Sequence, residues 1–207
     1  MSRLAATLVT IVNGTVRWLA WHWLFVANAV LAVLTGLPIA APVLMAAKLS
    51  SAARVIYLLF RPLCHQLPER SFFLFGPQAT YTLAELQRLL GPDVPLRFAG
   101  DASVGYTTAL CQRDLATYGA MLLGGLGFAL VRDRLRALPL GAFVLLCLPI
   151  AVDGLGQLFG LWRSTWWSRS VTGATFGLAV VWLAYPNLES GMRSVRRVLD
   201  VEDVAEP

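Results

Sequence analysis

The chain has 207 residues, 57% of them hydrophobic and 14% charged, with a mean hydropathy of +0.64. A soluble domain carries about a quarter charged residues, whereas here apolar runs near the roughly 20 residues needed to cross a bilayer recur along the sequence. That composition excludes an ordinary soluble enzyme and points to an integral membrane protein. The net charge of +5 is not a nucleic-acid footprint, because the arginines gather at the ends of apolar runs, where they flank membrane segments.

In chain order, ATLVTIVNGTVRWLAWHW (residues 6–23) reads as an interfacial helix or as a lead-in to the first span. The apolar run that follows exceeds the length of a signal-peptide core, so residues 21–47 are taken as a span whose far end is loosened by Pro38 and Pro42. In LSSAARVIYLLFRPLCHQL, the residues Ala53, Ile56, Tyr57 and Phe60 recur at helical spacing with Arg54 and Arg61 between them. The segment is short for a span and predicts an amphipathic helix lying in the interface. YTLAELQRLLGPD predicts a second short helix, with Thr82 as N-cap, Glu85 at the capping-box position, and an end at Gly91-Pro92. VPLRFAGDASVGY reads as irregular chain. Three further spans follow at about 106–131, 138–161 and 171–186, the last with Gly173 and Gly177 in a GxxxG spacing.

The expected fold is therefore all-α: one membrane domain over 1–207, a four-helix bundle with an interfacial helix within a long outer segment (48–105) and a cytoplasmic tail (187–207). Orientation follows from arginines in short flanks. Arg3, Arg17, Arg132, Arg134, Arg136, Arg193, Arg196 and Arg197 fall on one side, against Arg163 and Arg169 on the other. Both termini are expected in the cytoplasm, which discounts the glycosylation sequon at Asn13-Gly14-Thr15. The long segment then faces outside.

Placed on this topology, the polar residues converge. Cys64, His65, Gln66, Glu69 and Arg70 follow the interfacial helix, and Cys111, Arg113 and Asp114 begin the second span. Asp153 and Gln157 share a helical face in the outer half of the third span, and Arg169 and Thr172 open the fourth. Charges within membrane segments are costly and are either paired or functional.

Two readings of the cysteines stay open. Cys64, His65, Cys111 and Asp114 supply thiolates, an imidazole and a carboxylate, a donor set that zinc or another transition metal accepts. In that reading Asp153 or Glu69 serves as base, while Arg113, Arg169 and Gln157 hold an anionic substrate group. Alternatively Cys64 and Cys111, both on the oxidising side, form a structural disulfide. Asp153 with Arg113 or Arg169 also reads as a structural ion pair. Cys147, in an apolar stretch, reads as packing, and His22, among tryptophans, as an interface residue.

Four motifs, CHQLPERSFFLFG, CQRDLATY, DGLGQLFGLWRS and RSVTGATFG, stand in this order. They resemble the motif series of a family of small bacterial and archaeal membrane proteins known as the domain of unknown function two-zero-eight-five. The resemblance covers roughly residues 25–180 and implies a polytopic membrane fold without implying an activity. In that family the second motif reads Cys-x-Arg-Cys before a Gly-Ile-Tyr-like run, so the family pattern resembles a soft metal or thiol-redox site. Here Asp114 stands at the fourth position, followed by Ala116-Thr117-Tyr118, and a carboxylate in place of a thiol hardens such a site.

Three function classes follow. The first is an enzyme or redox protein with a metal- or thiol-centred outer site, acting on a lipid, a quinone or a small substrate. The second is a non-catalytic subunit of a membrane complex, docking through Phe72, Phe73 and Phe75. The third, a transporter, is the weakest, since no polar path continues through the inner half of the spans. The expected partners are membrane lipids and either a complex partner or a second copy of the chain.

Overall fold

The computed structural model describes residues 3–205. Its elements in chain order are α1 (Arg3–Ala46), α2 (Ser50–Phe60), a 3-10 turn (Pro68–Arg70), β1 (Ser71–Leu74), α3 (Leu83–Leu90), β2 (Gly100–Asp101), β3 (Gly105–Cys111), α4 (Gln112–Val131), α5 (Leu140–Leu158) and α6 (Trp166–Ala205). Four of these helices, α1, α4, α5 and α6, are long and apolar enough to cross a membrane. Their outer faces carry large apolar side chains such as Leu123 and Leu130, 70% and 88% exposed, as suits side chains that meet lipid. The protein is a membrane-type helical bundle.

Helix α1 runs through the residues read as a lead-in, and it continues past Pro38 and Pro42, both fully buried, to Ala46. At 44 residues and about 1.5 Å per residue it is about 66 Å long, roughly twice the hydrocarbon thickness. Helix α6 likewise continues beyond Pro186, so the segment read as a tail is helical through Ala205.

The tightest helix pair is α4 with α6, and its cause is the GxxxG spacing. A Cβ on Gly173 would stand 2.5 Å from the Arg113 carbonyl oxygen, and one on Gly177 would stand 2.4 Å from that of Thr117. Only hydrogen fits there, so the two backbones touch. The Thr117 hydroxyl uses that closeness to donate to the Gly173 carbonyl at 3.2 Å.

The structure corrects one sequence reading. Residues 105–111 are not the first turns of a span but strand β3, the centre of a three-stranded antiparallel sheet in the order β1-β3-β2. Thr107, Thr108, Ala109 and Leu110 are all buried along it. Gly105 opens the strand at a φ of +89°, with the Leu74 carbonyl oxygen 2.5 Å from where a Cβ would be, a conformation and a space open only to glycine.

The outer segment has a core of its own. Phe73, Tyr81, Leu86 and Val104 pack together between the sheet and α3, and α3 starts with the Thr82–Glu85 capping box expected from its sequence and ends at Gly91. Helix α2 buries Ala53, Ile56, Tyr57 and Phe60, the face that the periodicity marked, against Ala41 of α1 and Ala109 and Leu110 of β3. A second cluster, at the opposite end of the bundle, joins Trp23, Phe128, Val181 and Tyr185.

The α4–α6 contact yields a prediction. Gly177→Ala forces the helices apart by the width of a methyl group and costs about 1–3 kcal/mol, as overpacking does. A thermal unfolding series in detergent measures it, and an unchanged melting temperature would mean that the helices are not in backbone contact there.

Candidate functional site

Helix α2 ends at Phe60, and the chain turns so that the Cys64 N–H donates to the Phe60 carbonyl at 3.1 Å. This carries the Cys64 side chain inward, where it is buried. Two residues on, Gln66 takes a φ of +56°, uncommon for a residue with a side chain. Its own amide holds it there, donating to the Tyr57 carbonyl at 2.7 Å and to the Ala109 carbonyl at 3.1 Å. The twist aims the Gln66 N–H at the Cys64 sulfur, 3.4 Å away.

From the other side comes the junction of β3 with α4. Cys111 is the last residue of the strand and the N-cap of the helix. Its N–H donates to the Cys64 sulfur at 3.3 Å. Its own sulfur accepts from the Asp114 N–H at 3.5 Å and donates to Asp114 Oδ2 at 3.1 Å. The donor atoms of Cys64, Cys111 and Asp114 all lie within 4.8 Å of one another. His65 is exposed and is not among them.

The two sulfurs differ electrostatically. The neighbouring Cys111 side chain, with the backbone N–H groups of Gln66 and Cys111 aimed at the sulfur, holds the Cys64 thiol below its ordinary value against the opposing effect of burial. The Cys111 thiol is pushed up, first by its hydrogen bond with Cys64 and then by burial and the nearby Asp114 charge. One thiolate and one thiol is the pairing this favours. Both cysteines are free, as is Cys147.

A second polar group lies beside the first. Asp153 pairs with Arg113 at 2.5 Å through Oδ2 and accepts from the Ser164 and Ser168 hydroxyls at 2.8 and 2.7 Å through Oδ1. Both carboxylate oxygens are engaged, which is the arrangement of a structural ion pair. Arg169, buried, donates to Gln112 Oε1 at 3.0 Å and to the Glu69 backbone carbonyl at 3.2 Å. Gln112, also buried, donates to the Ser71 carbonyl at 2.9 Å, so α4, α6, the 3-10 turn and β1 are tied at one point. Glu69 takes part through its backbone. Gln157 is half-buried, with no side-chain hydrogen bond among the described residues.

The convergence expected of four distant segments is therefore present, in two adjacent groups. Cys64, Cys111 and Asp114 form one. Arg113, Asp153 and Arg169 fall in the other, with Gln112, Ser164 and Ser168 as members the sequence reading passed over. Their signal was visible, since Gln112 stands between Cys111 and Arg113 inside CQRDLATY, and both serines flank the tryptophans of RSTWWSRS. Of the three phenylalanines read as a docking face, Phe73 is core, Phe72 packs edge-on to Trp166, and Phe75 is exposed.

The far end of the bundle holds a buried acid that the sequence reading did not single out. Glu189 accepts from Arg132 at 2.7 Å, Arg193 at 2.8 Å, Arg196 at 2.9 Å and Trp23 Nε1 at 3.0 Å. Three of the arginines counted as a positive flank thus converge on one carboxylate. Its spacing to Arg193 and Arg196, four and seven residues on, was the sequence signal.

The engagement of Asp153 separates structural from catalytic roles. Asp153→Ala leaves Arg113 without its counter-charge and lowers stability by about 3 kcal/mol, whereas Gln157→Ala changes it by less than about 0.5 kcal/mol. Chemical unfolding of both variants in detergent checks this, and equal effects would refute the assignment.

Comparison with known proteins agrees with this architecture. An uncharacterized protein of Methanocaldococcus jannaschii is 26% identical over 133 residues, 63% of this chain and 67% of that protein. No solved structure matches the chain. The family resemblance is borne out over the last three of its four motifs: across residues 103–183, from just before β3 into α6, the chain matches the family described as a predicted membrane protein, DUF2085.

Proposed function

We propose that this multi-pass membrane protein holds a transition-metal ion, zinc first, through Cys64, Cys111 and Asp114 at the end of the bundle capped by the sheet. The observation that carries the reading is the meeting of three donor atoms within 4.8 Å. A tetrahedral zinc with sulfur bonds of ~2.3 Å separates two sulfurs by about 3.8 Å, close to the spread of donor atoms found here. Backbone N–H groups aimed at the Cys64 sulfur stabilise a thiolate without supplying a competing charge. Two sulfurs and one carboxylate suit a borderline-soft ion.

Three protein donors leave a fourth position for water or substrate, the pattern of catalytic rather than structural zinc. An ion there would act as a Lewis acid or lower the pKa of a bound water. Gln66, whose strained backbone and braced amide fix Cys64, is a positioning residue. Arg113 and Arg169, each with an Nε that is buried and without a partner, remain the groups proposed to face an anionic part of a lipid, quinone or small substrate. By the arginine balance of the short flanks, the sheet end faces outside and both termini lie in the cytoplasm.

The proximity of Cys64 and Cys111 favours a second reading, a redox-active or structural disulfide, reached by closing the sulfurs to ~2.05 Å. Elemental mass spectrometry with thiol titration on the purified protein in detergent decides. The metal reading expects about one ion per chain, lost in Cys64→Ser, Cys111→Ser and Asp114→Asn and retained in His65→Ala. No metal, with Cys147 as the single titratable thiol, would overturn it in favour of the disulfide.

A further inference from the structure

Away from the thiols, three arginines surround a pocket. Arg54 projects from α2 and Arg61 caps its C-terminus, about two turns on and so on the same side, while Arg97 approaches from the segment before β2. The pocket between them measures about 240 Å³. No carboxylate lines it, and among the described residues no ion pair or hydrogen bond engages these guanidinium groups. Three exposed cations from two segments thus concentrate unpaired positive charge around one pocket, a setting that favours an anion.

The floor narrows the choice of anion. The Tyr57 hydroxyl donates to the Thr107 carbonyl at 2.6 Å, and burial pushes its pKa up to about 12, so it stays neutral. The Gln66 amide is already committed to two backbone carbonyls. Only the guanidinium forks are left to recognise a ligand, and they donate without accepting. The ligand must therefore offer several acceptor oxygens and negative charge, as a phosphate group does.

The setting identifies the source of that phosphate. At 11 residues and 1.5 Å each, α2 is about 16 Å long, too short to cross a bilayer of roughly 30 Å. One face is packed on α1 and β3. The other exposes Val55, Leu58 and Leu59, at 63%, 53% and 61%, as does a helix lying in the membrane interface. Leu58 also lines the pocket, so the arginines and the apolar face are continuous. The volume lies below the roughly 300–1,000 Å³ of a site that encloses a drug-sized ligand and suits a headgroup whose tails lie elsewhere.

We infer that Arg54, Arg61 and Arg97 form a headgroup site for an anionic phospholipid, with its phosphate between the three guanidinium groups and its acyl chains along the exposed flank of α2. The site is independent of the metal reading, and either stands without the other. It fixes the depth of α2 in the membrane surface, and with it the outer segment that α2 anchors through β3.

Native mass spectrometry of the detergent-solubilised full chain tests this by titration with phosphatidylglycerol, with phosphatidylcholine, and with phosphatidylglycerol in the presence of inorganic phosphate. The expected result is retention of one phosphatidylglycerol at least about tenfold more tightly than phosphatidylcholine, undisturbed by inorganic phosphate. That preference disappears in the triple variant R54Q/R61Q/R97Q and persists in Arg88→Gln, whose arginine lies on α3 outside the pocket. Should the triple variant not survive purification, Arg97→Gln is measured alone, with a loss of several-fold expected. Equal retention of the two lipids, or an unchanged preference in the variants, would overturn the inference. Displacement by inorganic phosphate would do so as well, since the site would then serve a soluble anion.

Discussion

The junction at Cys111, where strand β3 becomes helix α4, sets the positions of α2, the sheet and the polar contacts to α5 and α6. A helix start leaves its first N–H groups without partners, and here the Cys111 sulfur takes that of Asp114 while the Cys111 N–H turns to Cys64. Sulfur is a weak acceptor, so the arrangement requires the two chains to approach closely, and it brings α2 against β3. From the same junction Gln112 reaches Ser71 and Arg169, and Arg113 reaches Asp153. One strand-to-helix transition thus places the thiols together, fastens the sheet to the bundle, and supplies the polar contacts to α5 and α6.

Charge is handled differently at the two ends of the bundle. At the far end Glu189 is surrounded by three arginines and a tryptophan N–H, an excess of donors that compensates the burial of one carboxylate. At the sheet end the balance is reversed in part. Asp153 is fully engaged, but among the described residues Arg169 is buried on neutral oxygens alone, and its Nε and that of Arg113 have no partner. A buried cation without a matching anion is expensive, and the position of Arg169 near the thiols is why this end of the bundle, rather than the Glu189 end, carries the functional reading.

How much was legible in the sequence differs by element. The apolar runs, the buried face of α2 and the Thr82–Glu85 box were readable because each is a local pattern with a period or spacing of its own. Strand β3 was not. GYTTALC is continuous with the apolar run of α4, and its partner β1 lies more than thirty residues earlier, so only a non-local pairing distinguishes it from the first turns of a span. Its threonines and buried alanine and leucine look like a polar half-span until the sheet covers them.

The site was legible in part for a related reason. Cys64, Cys111 and Asp114 carried a type and spacing that chemistry recognises. His65 was grouped with them because it adjoins Cys64, but adjacent side chains diverge unless the backbone turns, and here the turn falls at Gln66, which draws Cys64 inward and leaves His65 exposed. For Gln112 and Glu189 the local signals, a place inside CQRDLATY and a four- and seven-residue spacing to arginines, gain meaning only when their partners are placed.

Absorption spectroscopy of the cobalt-substituted protein in detergent shows whether the Cys111 junction assembles a metal-binding donor set. Sulfur-to-cobalt charge-transfer bands of a two-thiolate site are expected. The bands disappear in Cys64→Ser, Cys111→Ser and Asp114→Asn and are unchanged in His65→Ala. Cobalt binding without charge-transfer absorption, or none at all with both thiols reduced, would contradict such a donor set.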